Sequence, residues 1–395
     1  MGRSDILNAF KIYIILVKEG GSMKKHIQNL KISSFRGIRE LDLLDLADIN
    51  IFVGDNNSGK TSVLEAIQIL SNPGLYNLIS VSRGREMYGF GLRSGLNRFE
   101  SFMYMFTDYY PSSEIDQYSM KFDSTVGDEK GSVEIIGSLV NQRIDWDDYI
   151  RENPRLKRNS SESIEKEELF EKELEVLTFI GHLKSTFTDS LLDENVEFND
   201  YKRPDFQSKS KPSLFPVRKV SPMDHIGTSS YSRIIDDMNF RAQAVEFLKE
   251  FEPNILDLRY IGDGRYTVVI ETDSMALPLS VYGDGMKKVL TLLNALISSK
   301  SGVVLVDEIE TSVHTSAMRE TFGFFLETAK SLNVQLFLTT HSLEAVDKLL
   351  ESAGDDLSRI RVIRLKNKAG KTYAKTISGT QAKDYRERLE MELRI

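Results

Sequence analysis

The chain has 395 residues, 41% of them hydrophobic and 28% charged, with a formal net charge of −8 and no cysteine. That is enough apolar material for a substantial core in one large domain with an insertion or in two domains, and the acidic balance supplies no global positive field for nucleic acid. The missing thiols exclude disulfide frameworks, thiolate zinc sites and cysteine nucleophiles, and they fit a reducing, cytoplasmic setting.

Residues 6–17, ILNAFKIYIILV, are strongly apolar, but Lys11 interrupts them. They fall short of the roughly 18 apolar residues of a membrane span, and no membrane partner is expected. The following KEGGSM at 18–23 can be encoded by a purine-rich stretch resembling a ribosome-binding site. Residues 1–22 are therefore expected to be a leader or non-native extension, with Met23 as the start.

From Ile27 to Val53 β-branched and aromatic residues recur at short intervals, with Gly37 at a turn, and this predicts strands. After Gly59 the period changes: Val63, Leu64, Ile67 and Leu70 follow helical spacing up to the breaker SNPG at 71–74. Residues 75–231 read as an inserted lobe, mostly helical, with a helix over 162–180 striped by Ile164, Leu169, Leu174, Leu177 and Ile180. Within it SKSKPSLFP at 208–216 reads as a linker. Downstream come a helix stopped at Pro253, a strand RYTVVIET, a glycine turn and a helix over 286–298. A buried strand GVVLVDE, a helix to about Ser331 and a second buried strand VQLFLTTH complete the pattern. Nearly continuous apolar strands separated by helices indicate a parallel sheet covered on both faces.

Gly54-Asp55-Asn56-Asn57-Ser58-Gly59-Lys60-Thr61 matches the phosphate-loop pattern between a strand and a helix. Glycines let backbone N–H groups and the helix N-terminus converge on phosphate, Lys60 neutralises its oxygens, and Thr61 offers a hydroxyl to Mg2+. Asp307-Glu308 ends a buried strand, where an α/β sheet places its ligand site. Alone, two acids at a strand end can be a solvated terminus. Beside a phosphate loop, Asp307 can hold Mg2+ while Glu308 orients the attacking water. Gly283-Asp284-Gly285 opens a helix just before that strand; in isolation it is a surface turn. With the first loop already holding phosphate, this second helix start is expected to face the nucleotide of another subunit. His341, one strand later, can be a structural histidine or a sensor of the terminal phosphate. His314 can serve an interface or simply begin a helix.

FRGIRELDLLDLADINIFVGDNNSGKTSVLEAIQIL, FLKEFEPNILDLRYI, LPLSVYGDGMKKVL, GVVLVDEIETSVH and NVQLFLTTHSLEAV together resemble ABC-type ATPases related to RecF and to overcoming-lysogenization-defect (OLD) proteins. The likeness extends to generically annotated AAA-family ATPases of two-component anti-phage systems such as PARIS. It covers residues 24–74 and 232–366. It implies a P-loop NTPase of ABC-ATPase type, a mixed sheet with flanking helices, with the ATPase head at 23–74 and 232–395. By the same resemblance, Gly54, Asn56, Asn57, Ser58, Gly59, Lys60, Thr61 and Ser62 hold ATP, and Thr61 and Asp307 hold Mg2+. Glu308 is the base and His341 the switch histidine. Gly283, Asp284, Gly285 and Lys288 form a signature acting on a partner copy, in a homodimer or higher homo-oligomer.

Two features depart from the pattern: related signatures usually begin with serine where Gly283 stands, and no glutamine loop follows the first helix. After His341, Asp355-Asp356 and ERLEMEL lack the length and spacing of a Toprim nuclease. The resemblance therefore implies a separate effector, a Toprim-type nuclease among the candidates. Two other readings stay open. One is a RecF-like DNA clamp using Arg151, Arg155, Lys157, Arg158, Lys202, Arg203, Lys209, Lys211, Arg218 and Lys219. The other is a nucleotide-locked scaffold with negligible hydrolysis.

Overall fold

The computed structural model describes residues 26–85, 97–111, 115–145, 173–201, 213–225, 231–261, 267–272, 275–368 and 370–389. The leader expected at 1–22 lies outside them. At the centre is a six-stranded sheet built on β3 (Ile49–Val53), β8 (Val217–Val220), β12 (Val303–Val306), β13 (Gln335–Thr339), β14 (Ile360–Lys368) and β15 (Lys371–Ser378). Its order is β15-β14-β3-β13-β12-β8, parallel throughout except for the antiparallel edge β15.

The continuous apolar runs of these strands follow from burial on both faces, with side chains alternating between two cores. Ile49, Ile51, Val53, Val304, Val306, Leu336 and Leu338 point to one core. Phe52, Val303, Leu305 and Phe337 point to the other.

On that second face lies α1 (Lys60–Ser71), with Val63, Leu64, Ile67 and Leu70 all fully buried, each contributing about 1.5–3 kcal/mol by leaving water. An antiparallel sheet covers α1 from the other side. It is formed by β1 (Ile27–Phe35), β2 (Ile38–Leu43), β4 (Tyr118–Val126), β5 (Glu129–Asp145), β6 (Glu173–Ser185) and β7 (Leu192–Phe198), in the order β2-β1-β4-β5-β6-β7. The short helices α2 (Leu75–Arg83) and α3 (Arg98–Met103) pack into the same core. The opposite face of the parallel sheet carries α4 (Met238–Leu248), α5 (Asp284–Ser298), α6 (Thr315–Ser331) and α7 (Leu343–Ser352), and α8 (Gly379–Leu389) follows β15. A three-stranded antiparallel sheet of β9 (Ile255–Ile261), β10 (Thr267–Thr272) and β11 (Ala276–Pro278) joins that side.

The expected mixed sheet with flanking helices is present, but the inserted lobe differs from its expectation. Its described residues are mostly strand: β4 to β7 extend the sheet begun by β1 and β2, and β8 is the edge of the parallel sheet. The helix expected over 162–180 is corrected where it is described. Residues 173–180 belong to β6, which pairs with β5 over thirteen positions from Val133↔Ser185 to Asp145↔Glu173. Val176, Thr178 and Phe179 are buried there, Phe179 in the core shared with α1, while Leu177 and Ile180 are each 41% exposed. The apparent helical stripe thus cut across a two-residue period. Residues 162–172 lie outside the described set.

Candidate nucleotide site

β3 delivers the chain into the phosphate loop at the carboxyl edge of the sheet. Gly54 has φ 140°, and a Cβ there would lie 2.3 Å from the Leu365 carbonyl of β14, so only glycine lets the loop leave the sheet at this point. Gly59 at φ 99° turns the loop into α1, and no side chain caps that helix start. Its first N–H groups are therefore available to an anion. Lys60 is 6% exposed. Its Nζ donates to the carbonyls of Gly54 and Asp55 at 2.8 Å each. Burial lowers its pKa, opposed by the charges of Asp307, Asp55, Glu308 and Glu310. Asn56 and Asn57 are exposed in the loop, whereas Ser58 and Ser62 are buried.

β12 and β13 bring the acids to this loop. Thr61 Oγ1 donates to Asp307, at 3.1 Å from Oδ1 and 2.9 Å from Oδ2. Thr339 Oγ1, at the end of β13, donates to Asp307 Oδ1 at 2.6 Å and accepts the Glu308 N–H at 2.9 Å. One hydroxyl thereby fixes both acids. Glu308 has φ 49°, a left-handed conformation uncommon for a non-glycine residue and of the kind that clusters at functional sites. Glu310 Oε1 accepts the His341 N–H at 2.9 Å, which ties the histidine's strand end to the acid loop. The other oxygen, Oε2, is buried without a hydrogen-bond partner.

α5 opens at Gly283, and Gly283 and Asp284 are exposed, so the turn is available to a second molecule. Asp284 pairs with Lys287 at 3.0 Å. Gly285 faces the acid loop, where a Cβ would meet the Ser312 carbonyl at 3.4 Å. Lys288 requires a correction: it is 0% exposed and cannot share a surface contact with Gly283 and Asp284. Its apolar stem packs on the core face of α5, and its ammonium lies in the field of Asp224, Glu310, Glu308 and Asp307 of its own chain. His314 is exposed and caps α6, its Nδ1 accepting the Ser316 N–H at 3.3 Å.

Sequence reasoning missed Thr339, Glu310 and Glu65, and it placed Lys288 on the surface. Thr339 and Glu310 stand in segments already singled out, DEIET and LTTH, and the extra polar residue in each was the available signal. Lys288 sits four residues before Leu292 and seven before Ala295, on the apolar stripe of α5, a spacing that marks it as inward-facing. Glu65, on α1, is buried and collects three cations: Arg36 at 2.7 Å, Arg85 at 2.8 Å and Lys219 at 3.8 Å. These charges outweigh burial and hold its carboxyl below the usual range. Arg85 also donates to Ser62 at 2.9 Å, linking the phosphate helix to the residues after α2. Lys219 is thus committed to Glu65, while Arg218 is exposed. The other basic residues considered for DNA lie outside the described set.

The donors around Thr61 and Asp307 are hard oxygens, which suits Mg2+. Among the described residues no group of three or more His, Cys, Asp or Glu closes around a metal. Mg2+ commonly uses one or two carboxylates, waters and substrate phosphates, so the pair Thr61 and Asp307 fits it. No described helix is long and apolar enough to cross a membrane.

The chain is similar to several known proteins. An ATP/GTP phosphatase of Helicobacter pylori is 23% identical over 335 residues, 82% of this chain and 87% of that protein. The DNA replication and repair protein RecF of Saccharophagus degradans is 43% identical over 47 residues, 12% of this chain and 13% of RecF. A crystal structure of an Smc head bound to the C-winged helix domain of ScpA superposes with a TM-score of 0.46 at 14% identity, covering 90% of this chain and 99% of that one. Residues 49–347 match the family described as "AAA domain, putative AbiEii toxin, Type IV TA system". The chain belongs to this family of AAA-type ATPase domains.

Proposed function

We propose that the protein is a switch: two copies close over two ATP·Mg2+, hydrolysis reopens them, and a separate effector protein is held or released in anti-phage defence. The observation that carries the catalytic part is the hydrogen-bonded chain Thr61–Asp307–Thr339–Glu308, which joins the phosphate loop to both acids across three strands. In this reading the loop residues from Gly54 to Ser62 bind the phosphates, and Thr61 and Asp307 hold the metal. The metal, when bound, neutralises charge building on the phosphoryl oxygens. Glu308 orients and polarises the attacking water, and His341 senses the terminal phosphate. Supporting the composite arrangement is the exposed Gly283–Asp284 helix start, which lies outside its own chain's loop. The effector role rests on the resemblance to two-component systems and on the toxin–antitoxin description of the family. The RecF match supports the alternative of a DNA-binding repair ATPase, over 47 residues alone.

ATP turnover and native mass of wild type, Lys60→Ala and Glu308→Gln test the reading. Lys60→Ala is expected to lose nucleotide binding. Glu308→Gln is expected to bind ATP, fail to hydrolyse it and accumulate as dimers or larger assemblies. Wild-type turnover by Glu308→Gln removes Glu308 as the base.

A further inference from the structure

Lys288 occupies an unusual place. Its side chain is wholly buried, and its ammonium has no hydrogen-bond acceptor. Beyond it on α5, Val289, Leu290, Leu292 and Leu293 are all buried and apolar. A neutral side chain would suit that environment better, because a buried charge without a partner destabilises a fold. What offsets the burial is a field of four carboxylates, Asp224, Glu310, Glu308 and Asp307. One of them, Glu310, has a buried oxygen that also lacks a hydrogen-bond partner. The unbonded cation thus lies in the field of a carboxylate that itself has an unbonded buried oxygen.

We infer that Lys288 is a positioning residue, a resident counter-cation that holds the Glu308 and Glu310 carboxylates of its own subunit and ties α5 to them. α5 is also the helix whose exposed start, Gly283–Asp284, is available to a second subunit. The same helix therefore senses charge at one point and presents a surface at another. Resting on the proposed function, a divalent cation beside Asp307 adds positive charge to the field that holds Lys288. Repulsion between them weakens the hold on α5 and makes metal and Lys288 competitors for the same acids. His225 belongs to the same surroundings: its Nε2 meets Ser312 Oγ at 2.9 Å, and burial and the Lys288 charge lower its pKa.

Lys288→Met in the full chain tests this, since methionine keeps the length of the stem and removes the charge. Three quantities are measured: stability to denaturant, kcat, and the Mg2+ concentration for half-maximal ATP turnover. The expected result is a more stable protein with kcat about tenfold lower and half-saturating Mg2+ about tenfold lower. A packing role alone would leave the Mg2+ requirement where it was. Loss of stability together with activity overturns the inference, as does a variant with wild-type kcat and wild-type Mg2+ dependence. Should wild type itself show no turnover, the proposed function fails, and stability still decides: a more stable methionine variant supports the counter-cation and a less stable one overturns it.

Discussion

The two lysines of the site are held in opposite ways. Lys60 sits in a loop that curls around its ammonium and supplies two carbonyl acceptors at 2.8 Å. Lys288, in the field of the same acids, has no acceptor and depends on charge at longer range. Both are buried, and for both burial is the largest influence on the pKa. A local turn can thus be shaped to receive a cation, whereas a cation carried on a packed helix must be stabilised by residues from elsewhere in the chain. The first arrangement is read from a short motif. The second exists only once the fold has assembled.

Changes at the two ends should separate the two modes. Lys60→Ala is expected to have the largest effect, complete loss of ATP binding measured by equilibrium titration, with the fold intact. Glu308→Gln comes next, lowering kcat by about 10²–10⁴-fold while nucleotide binding remains, as expected for removal of a general base.

Glu65→Gln reports on the phosphate-helix side through stability alone. Removing one partner from its buried cluster is expected to destabilise the protein by about 3 kcal/mol in denaturant titrations at pH 7. The folded-state pKa of Glu65 is depressed from 4.5. Its stabilisation is therefore present above the unfolded carboxylate's pKa and disappears as pH falls through the folded value. The difference between wild type and Glu65→Gln should shrink in acid accordingly.

Lys288→Met is expected to act with the opposite sign. Burial lowers the Lys288 pKa from 10.5 to about 8, a destabilisation on the order of 3 kcal/mol. It is fully present below pH 8, shrinks as the pH rises towards 10.5, and is gone above the unfolded value. The stability gained by the methionine variant should therefore be largest near neutrality and vanish in alkali.

Much of the site was legible because its chemistry demands particular residues next to one another. Gly54 and Gly59 are fixed by backbone sterics, and Asp307-Glu308 follow an apolar strand whose meaning does not depend on distant partners. The parallel strands β3, β12 and β13 were legible for the same reason, since burial on both faces leaves a continuous apolar run. Beyond β1 and β2, the strands of the antiparallel sheet were not. β6 carries Leu174, Leu177 and Ile180 three residues apart, and only its pairing with β5 reveals a strand whose buried positions are Val176, Thr178 and Phe179. β8 is four residues, VRKV, two of them basic. Nothing local distinguishes it from surface, because its strand character comes from β12 beside it. Lys288 could be placed on the inward stripe of its helix by spacing, but not matched to the acids around it, since they lie in other segments.

The central claim is that each active pocket is assembled from two chains, one contributing Lys60 and the other its Gly283–Asp284 turn. Mixing the two single variants Lys60→Ala and Asp284→Arg, each inactive alone, measures this directly through ATP turnover. A composite pocket predicts regained activity in the mixture, because hybrid pairs contain one pocket with both halves intact. A mixture as inactive as its components, under conditions where subunits demonstrably exchange, would contradict the account.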